Sequence, residues 1–97
     1  MILTAKECRD ALYLDADFPE NILEKYIKTA DAFIFEKTGY DFGNDLVKEP
    51  LAVYLAILYV RVLHFQNTEY KKDYDYSIGI SSLIQDLQNI ARSKNAK

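Results

Sequence analysis

Apolar residues recur at helical spacing in four stretches of this 97-residue chain. Thr4-Ala5-Lys6-Glu7 matches a capping box, which predicts a short helix over about residues 5–13. Asp17-Phe18-Pro19-Glu20 matches a second capping box and predicts a long helix over about residues 18–38, closed by Gly39 in the left-handed conformation. The apolar stripe of this long helix contains Ile22, Leu23, Tyr26, Ile27, Ala30, Phe33 and Ile34.

The second half of the chain predicts two more helices, separated by an irregular connector. Pro50 opens the third helix, which continues to about residue 68. The connector, YKKDYDYSIG over residues 70–79, has no helical period, and the fourth helix covers about residues 80–92. The apolar stripe of the fourth helix contains Ile80, Leu83, Ile84, Leu87, Ile90 and Ala91. Together the elements predict a single all-α domain over residues 1–97, a four-helix domain with a short N-terminal helix, two long helices and a C-terminal helix.

The third helix is apolar on two sides. In its sequence, LAVYLAILYVRVLHF, only an arginine and a histidine interrupt apolar residues and tyrosines. One stripe spans about 100° of the helical wheel, which is the usual width of a core-facing surface. The members of this predicted core stripe are Leu51, Tyr54, Leu55, Leu58, Val62 and Phe65. The opposite side carries Val53, Ile57, Val60 and His64, and the short first helix offers little to cover it.

Two explanations fit this second apolar side. Either the third helix is central and the other three cover it on both sides, or its second side meets another subunit. Phe35 favours a subunit contact because it lies about 150° from the stripe of the second helix and would be wet in a monomer. Tyr70, Tyr74 and Tyr76 in the connector either fold over the chain's own core or form a further contact, since tyrosine is enriched at interfaces. The predicted interface residues are Phe35, Val53, Ile57, Val60, His64, Tyr70, Tyr74 and Tyr76.

Composition and charge limit the classes of partner. The chain is 49% hydrophobic and 28% charged, as in an ordinary soluble domain, and its net charge is −3. The lysines and arginines form no basic stripe, which argues against tight nucleic-acid binding. The longest apolar run is shorter than the roughly 20 residues that span a bilayer, and the first residues lack the layout of a secretory signal. We therefore expect a cytoplasmic protein with no membrane partner.

The sequence offers few residues for catalysis or metal binding. His64 is the only histidine and Cys8 the only cysteine, so neither a nucleophile–base pair nor a set of metal ligands can be assembled. Asp15-Ala16-Asp17 begins like a calcium loop, but Glu20 stands where that loop needs glycine. Asp41-Phe42-Gly43 matches the kinase magnesium motif without the other kinase motifs. We predict no enzymatic activity, no cofactor and no metal, with His64 and Cys8 in structural roles.

The order of these elements resembles the head–tail connector family of tailed phages. Residues 3–39 are similar to the opening of its members, a short helix after Leu-Thr-x-x-Glu, an Asp-x-Asp loop and a long helix ending in Thr-Gly. Residues 50–69 resemble the central helix of the family, which ends in a polar segment. Residues 78–90, IGISSLIQDLQNI, resemble its closing helix, which a glycine–hydrophobic pair precedes. The resemblance covers nearly the whole chain and rests on the order and spacing of these motifs.

The resemblance implies a structural role in the neck of a phage or prophage particle. Members of the family assemble as a cyclic homo-oligomer, typically of about twelve copies, that docks on the portal protein. Such a ring extends the DNA channel and offers a platform to the next neck or tail-completion protein. DNA would pass through without specific binding, which agrees with the lack of a basic stripe. The protein would occur in the host cytoplasm during assembly and in the virion neck afterwards.

The alternative is an unrelated small all-α regulatory or interaction module that self-associates through the helix over residues 50–68. Both hypotheses use the surplus apolar surface for protein contacts. They differ in the number of surfaces, because a ring subunit contacts its neighbours through two different surfaces whereas a symmetric dimer needs only one.

Overall fold

The computed structural model describes residues 1–65 and 77–95, so the predicted contacts at Tyr70, Tyr74 and Tyr76 lie outside the described residues. Four helices form the fold: α1 (Ala5–Ala11), α2 (Glu20–Thr38), α3 (Pro50–Phe65) and α4 (Ser77–Asn95). A 3₁₀ turn, Phe42–Asn44, lies between α2 and α3, and the described residues contain no strand. The prediction of a small all-α four-helix domain is confirmed.

The fourth helix is longer at both ends than the sequence predicts. It begins at Ser77 rather than near residue 80 and ends at Asn95 rather than near residue 92. The sequence places the start of this helix near residue 80 because residues 70–79 have no helical period. The helix continues through Gly79, so residues 77–79 of the predicted irregular connector are helical.

The local signals at the helix ends were correct at two positions and wrong at a third. Thr4 Oγ1 accepts from the Glu7 amide (3.1 Å) and the Glu7 carboxylate accepts from the Thr4 amide (2.9 Å), which confirms the first capping box. Gly39 closes α2 at φ 72°, the predicted left-handed conformation. The second capping box is wrong, because α2 begins after Pro19 without a side-chain cap. The amide of Phe18 bonds to the Asp15 carbonyl (3.0 Å) instead, in a turn that precedes the helix.

Helices α2 and α3 run antiparallel. Phe33 of α2 stacks on Tyr59 of α3 with ring centroids 4.2 Å apart, and Tyr26 Oη lies 3.2 Å from His64 Nδ1. A later residue of α2 therefore contacts an earlier residue of α3, as expected for antiparallel helices. The loop between α1 and α2 and the end of α3 meet at one end of the fold, whereas residues 40–49 and the start of α3 lie at the other.

The core is apolar throughout the described part of the chain, and α2 and α3 supply most of it. No polar or charged side chain is buried among these residues. The main chain of Ile2 donates to Asp31 Oδ1 (3.0 Å), which ties the first residues to α2. The buried side chains are Ile2, Leu3, Cys8, Leu12, Leu23, Ile27, Ala30, Ile34, Phe42, Ala52, Leu55, Ala56, Val60, Leu87 and Ala91.

Helix α3 is turned by roughly 120° relative to the orientation that the helical wheel predicts. Its buried residues are Ala52, Leu55, Ala56 and Val60, so the predicted core stripe contributes only Leu55. Tyr54, which the wheel assigned to the core, is 55% exposed. Because α3 is apolar all round, polarity could not orient it. The two alanines allow neighbouring helices to approach closely, and they lie at the centre of the buried side.

The side of α3 predicted as a free interface is covered by the chain itself. Val60 is fully buried, and Val53 and Ile57 are half-buried against the core. The ring of His64 packs edge-on against Phe18, with centroids 6.0 Å apart. The prediction that this side lacks cover within the chain is wrong. Val60 is a core residue and not an interface residue.

Candidate interaction surfaces

The large apolar side chains that remain exposed define the candidate site. Among the residues whose burial the structure describes, and beyond Met1, they lie in three places. Phe35, 55% exposed as predicted, is on α2, and Tyr13, 87% exposed, is in the loop between α1 and α2. Leu46 (103%) and Val47 (85%) lie in the loop before α3, and Tyr54 follows one turn into that helix. Only Leu46, Val47 and Tyr54 lie near one another along the chain, and grouped exposed apolar side chains are the kind that mark sites of protein contact.

A polar clamp fixes the loop between α2 and α3. The Tyr40 hydroxyl donates to Asp45 Oδ1 over 2.5 Å, and Nζ of Lys94, in the last turn of α4, lies 3.2 Å from Asp45 Oδ2. Lys48 Nζ donates to the main-chain oxygens of Gly43 and Asp45. We term Tyr40, Asp45, Lys48 and Lys94 the clamp. It joins the loop to the end of α4 and so holds the loop at one end of the fold.

The clamp keeps one charge state across neutral pH. The hydrogen bond from Tyr40, followed by the ion pair with Lys94, holds the pKa of Asp45 below its ordinary value of 3.8. The Asp45 carboxylate in turn raises the pKa of Tyr40 above 10.0 and that of Lys94 above 10.5, in each case chiefly through the hydrogen bond. An ionised Asp45 between a neutral phenol and an ammonium group is therefore the state at neutral pH.

Leu46 and Val47 project from this clamped loop, and we term the pair the knob. Two further contacts anchor the loop to the rest of the fold: Phe42 is buried in the core, and Gly43 lies against the backbone of Met1. A Cβ atom at Gly43 would lie 3.0 Å from the Met1 backbone, closer than ordinary contact. The knob is therefore an apolar pair held in solvent by a fixed loop, with no role in the core.

The outer face of α3, which we define as Tyr54, Leu58 and Val62, continues along the helix from the loop that carries the knob. The three residues are spaced four apart and therefore lie on one side of the helix. Tyr54 is exposed, and Leu58 and Val62 are half-buried. Arg61 is turned towards α1, where its Nε donates to the Ala11 carbonyl over 3.2 Å. The apolar surplus of α3 thus lies on the side that the sequence assigned to the core.

A cleft of about 310 Å³ lies in the loop between α1 and α2 and is lined by Tyr13, Leu14, Asp15, Asp17 and Phe18. Leu14 and Phe18 are half-buried and pack on the core, so they form an apolar floor. Asp15 and Asp17 are exposed, and no cation lies within 4.0 Å of either carboxylate in the described part of the chain. Tyr13, at the rim of the cleft, has a φ of 56°, and this left-handed conformation turns the backbone there. The lining of the cleft thus contains both apolar and acidic side chains.

Groups suited to catalysis do not converge in the described residues. No cluster of three or more His, Cys, Asp or Glu side chains there could hold a metal ion. Burial raises the pKa of the Cys8 thiol to about 11, which makes it a poor nucleophile at neutral pH. Within the same residues, no helix has the length and apolar character needed to cross a membrane.

The sequence predicted that Phe35 is exposed, but it predicted neither the exposed knob nor the cleft. A signal for the knob was present, since Leu46 and Val47 are an isolated apolar pair in a polar turn segment with no helical period. The cleft left no comparable signal, because it depends on how the loop packs against α3. Comparisons with protein-family models, with curated proteins and with solved structures found no match to this chain.

Proposed function

We propose that this protein is a structural subunit of a phage or prophage neck. In this proposal it forms a ring on the portal protein, extends the DNA channel and links head to tail. The observation that carries the proposal is the placement of exposed apolar side chains on different sides of one small helical domain. The resemblance to head–tail connectors in the order of motifs supports the same assignment.

Two separate surfaces are what a ring subunit requires. Phe35 lies roughly 160° around α2 from Phe33, the residue that stacks on α3, so it points away from that helix. The knob lies in the loop before α3, and Tyr54 lies in the first turns of that helix. A subunit in a closed ring contacts one neighbour through one surface and the other neighbour through a different one. These two exposed regions could supply both contacts, or one lateral contact and one contact with the portal protein.

The charge of the chain is also compatible with this role. A net charge of −3 without a basic stripe gives little attraction for phosphates. Weak attraction suits a channel through which DNA must move, because tight binding to the wall would oppose its passage. The ring would therefore contact DNA without specific recognition.

The alternative function, an interaction module that self-associates through α3, has one observation in its favour. Tyr54 is exposed on the same side of α3 as the half-buried Leu58 and Val62. A two-fold dimer could bury this single face against its own copy. Such a dimer would leave Phe35 without a role.

The two functions are separated by purifying the full chain with and without the portal protein encoded in the same genome. Light scattering and negative-stain microscopy should detect a ring on the portal. Phe35→Asp should reduce ring assembly while the helix content is retained, because Phe35 is half exposed. Thr29→Asp, at an exposed position on a different side of α2, is the matched control and should assemble normally. A stable dimer that ignores the portal protein would favour the interaction module.

A further inference from the structure

We propose that neighbouring copies join by inserting the knob of one subunit, Leu46 and Val47, into the cleft of the next. This contact deepens the proposed function and rests on it, since it names the lateral interface of the ring. Among the described residues, the knob is an exposed apolar pair that takes no part in the core, and the cleft has an apolar floor formed by Leu14 and Phe18. Insertion would bury the apolar side chains of the knob and cover the apolar floor of the cleft.

The two features lie at opposite ends of the fold. The cleft residues directly precede α2, and the knob follows the end of that helix. The 19 residues of α2 rise by about 28 Å, so a knob cannot reach the cleft of its own chain. A contact between an apolar projection and a pocket elsewhere on the same molecule is heterologous. It repeats from copy to copy and closes into a ring when the rotation allows.

Charge complementarity supports a second copy as the occupant of the cleft. Asp15 and Asp17 at the rim have no cation within 4.0 Å among residues 1–65 and 77–95. In the described part of the chain, Lys48, adjacent to the knob, donates to the main-chain oxygens of Gly43 and Asp45. The nearby carboxylates of Asp45 and Glu49 both act on Lys94 and raise its pKa. Lys48 lowers the pKa of the Asp45 carboxylate at longer range, but it has no carboxylate within 4.0 Å among the described residues, so it is free to form an ion pair with the acidic rim of the neighbouring cleft.

A single contact of this kind is weak. A stable interface buries about 800 Å² on each partner, and two aliphatic side chains supply only a fraction of that area. The free chain should therefore be mainly monomeric at micromolar concentration. Many contacts in series, together with docking on the portal, would raise the effective concentration and close the ring.

Cysteine crosslinking traps such a weak contact. Val47→Cys and Tyr13→Cys place thiols at exposed positions in the knob and at the cleft, whereas the native Cys8 is buried. With a short bismaleimide, a mixture of the two single variants should give dimers severalfold faster than either variant alone. The double variant should give a ladder of higher oligomers. The control mixes Val47→Cys with Lys28→Cys, because Lys28 is exposed on α2 away from the cleft. Its crosslinking rate measures dimer formation by random collision.

Three outcomes would overturn this contact. The first is crosslinking of the knob–cleft mixture no faster than of the collision control, and the second is equal dimer formation by Val47→Cys alone. The third uses a Val47→Cys chain that also carries Leu46→Asp. If the knob inserts, this change should lower the yield of crosslinked dimer with Tyr13→Cys severalfold. An unchanged yield contradicts insertion.

The contact and the proposed function can fail separately. Rings on the portal protein without knob–cleft crosslinks would reject this interface and leave the neck assignment standing. A crosslinked ladder from a chain that never binds a portal protein would keep the interface and reject the neck assignment.

Discussion

Truncation of three leucines to alanine tests the orientation of α3 and the exposure of the knob. Leu55 is fully buried, Leu58 is half-buried on the outer face of the same helix, and Leu46 is 103% exposed. The helical wheel places Leu55 and Leu58 in one stripe, whereas the structure separates them by burial. Because each substitution removes the same atoms, differences among the three variants report the environment of the side chain.

The expected losses follow from that burial. Leu55→Ala loses roughly 2–3 kcal/mol of transfer free energy and leaves a cavity, so the free energy of unfolding should fall by about 3 kcal/mol or more. Leu58→Ala should cost about 1 kcal/mol, because water and neighbouring side chains fill the space at a surface. Leu46→Ala should lie within about 0.5 kcal/mol of wild type. For a domain of this size, the Leu55 variant should melt roughly 12–24 °C lower.

Urea unfolding, monitored by far-ultraviolet circular dichroism, measures these differences in the free energy of unfolding. Equal slopes of that free energy against urea concentration would indicate that the variants unfold by the same two-state transition. The order of stability should be Leu46→Ala, then Leu58→Ala, then Leu55→Ala. Equal losses at Leu55 and Leu58 would refute the orientation of α3. A loss above about 1 kcal/mol at Leu46 would refute the exposure of the knob.

Three further predictions follow from single groups. Gly39→Ala should cost about 1 kcal/mol in thermal unfolding because φ is 72°, and Gly39→Asn should recover part of that loss. The pKa of Asp45 is depressed, so its contribution to stability is present above pH 3.8 and is lost as the pH falls through the lower folded value. Asp45→Asn should therefore be less stable than wild type at neutral pH, and the gap should close only below pH 3.8; a gap unchanged in acid would contradict the clamp. Cys8 should react with a thiol reagent near neutral pH only after unfolding, and rapid reaction of the folded chain would contradict its burial.

Local signals were informative where one segment contains all the interacting atoms. The capping box at Thr4 involves residues three apart, and the left-handed Gly39 depends on its own backbone, so both could be predicted. The cap expected at Asp17 involved an equally local pattern and failed. There the bond from the Phe18 amide to the Asp15 carbonyl forms a competing turn, and α2 begins only after Pro19.

The sequence by itself determined the all-α class, the number of helices and the buried stripes of α2 and α4, because helical spacing of apolar residues needs no knowledge of neighbours. Only the tertiary structure decided which side of α3 is buried. A helix that is apolar all round has no preferred side until partners pack on it, and here Ala52 and Ala56 face them. The knob and the cleft were likewise decided by tertiary structure, since the exposure of a loop side chain depends on the contacts that anchor the loop around it.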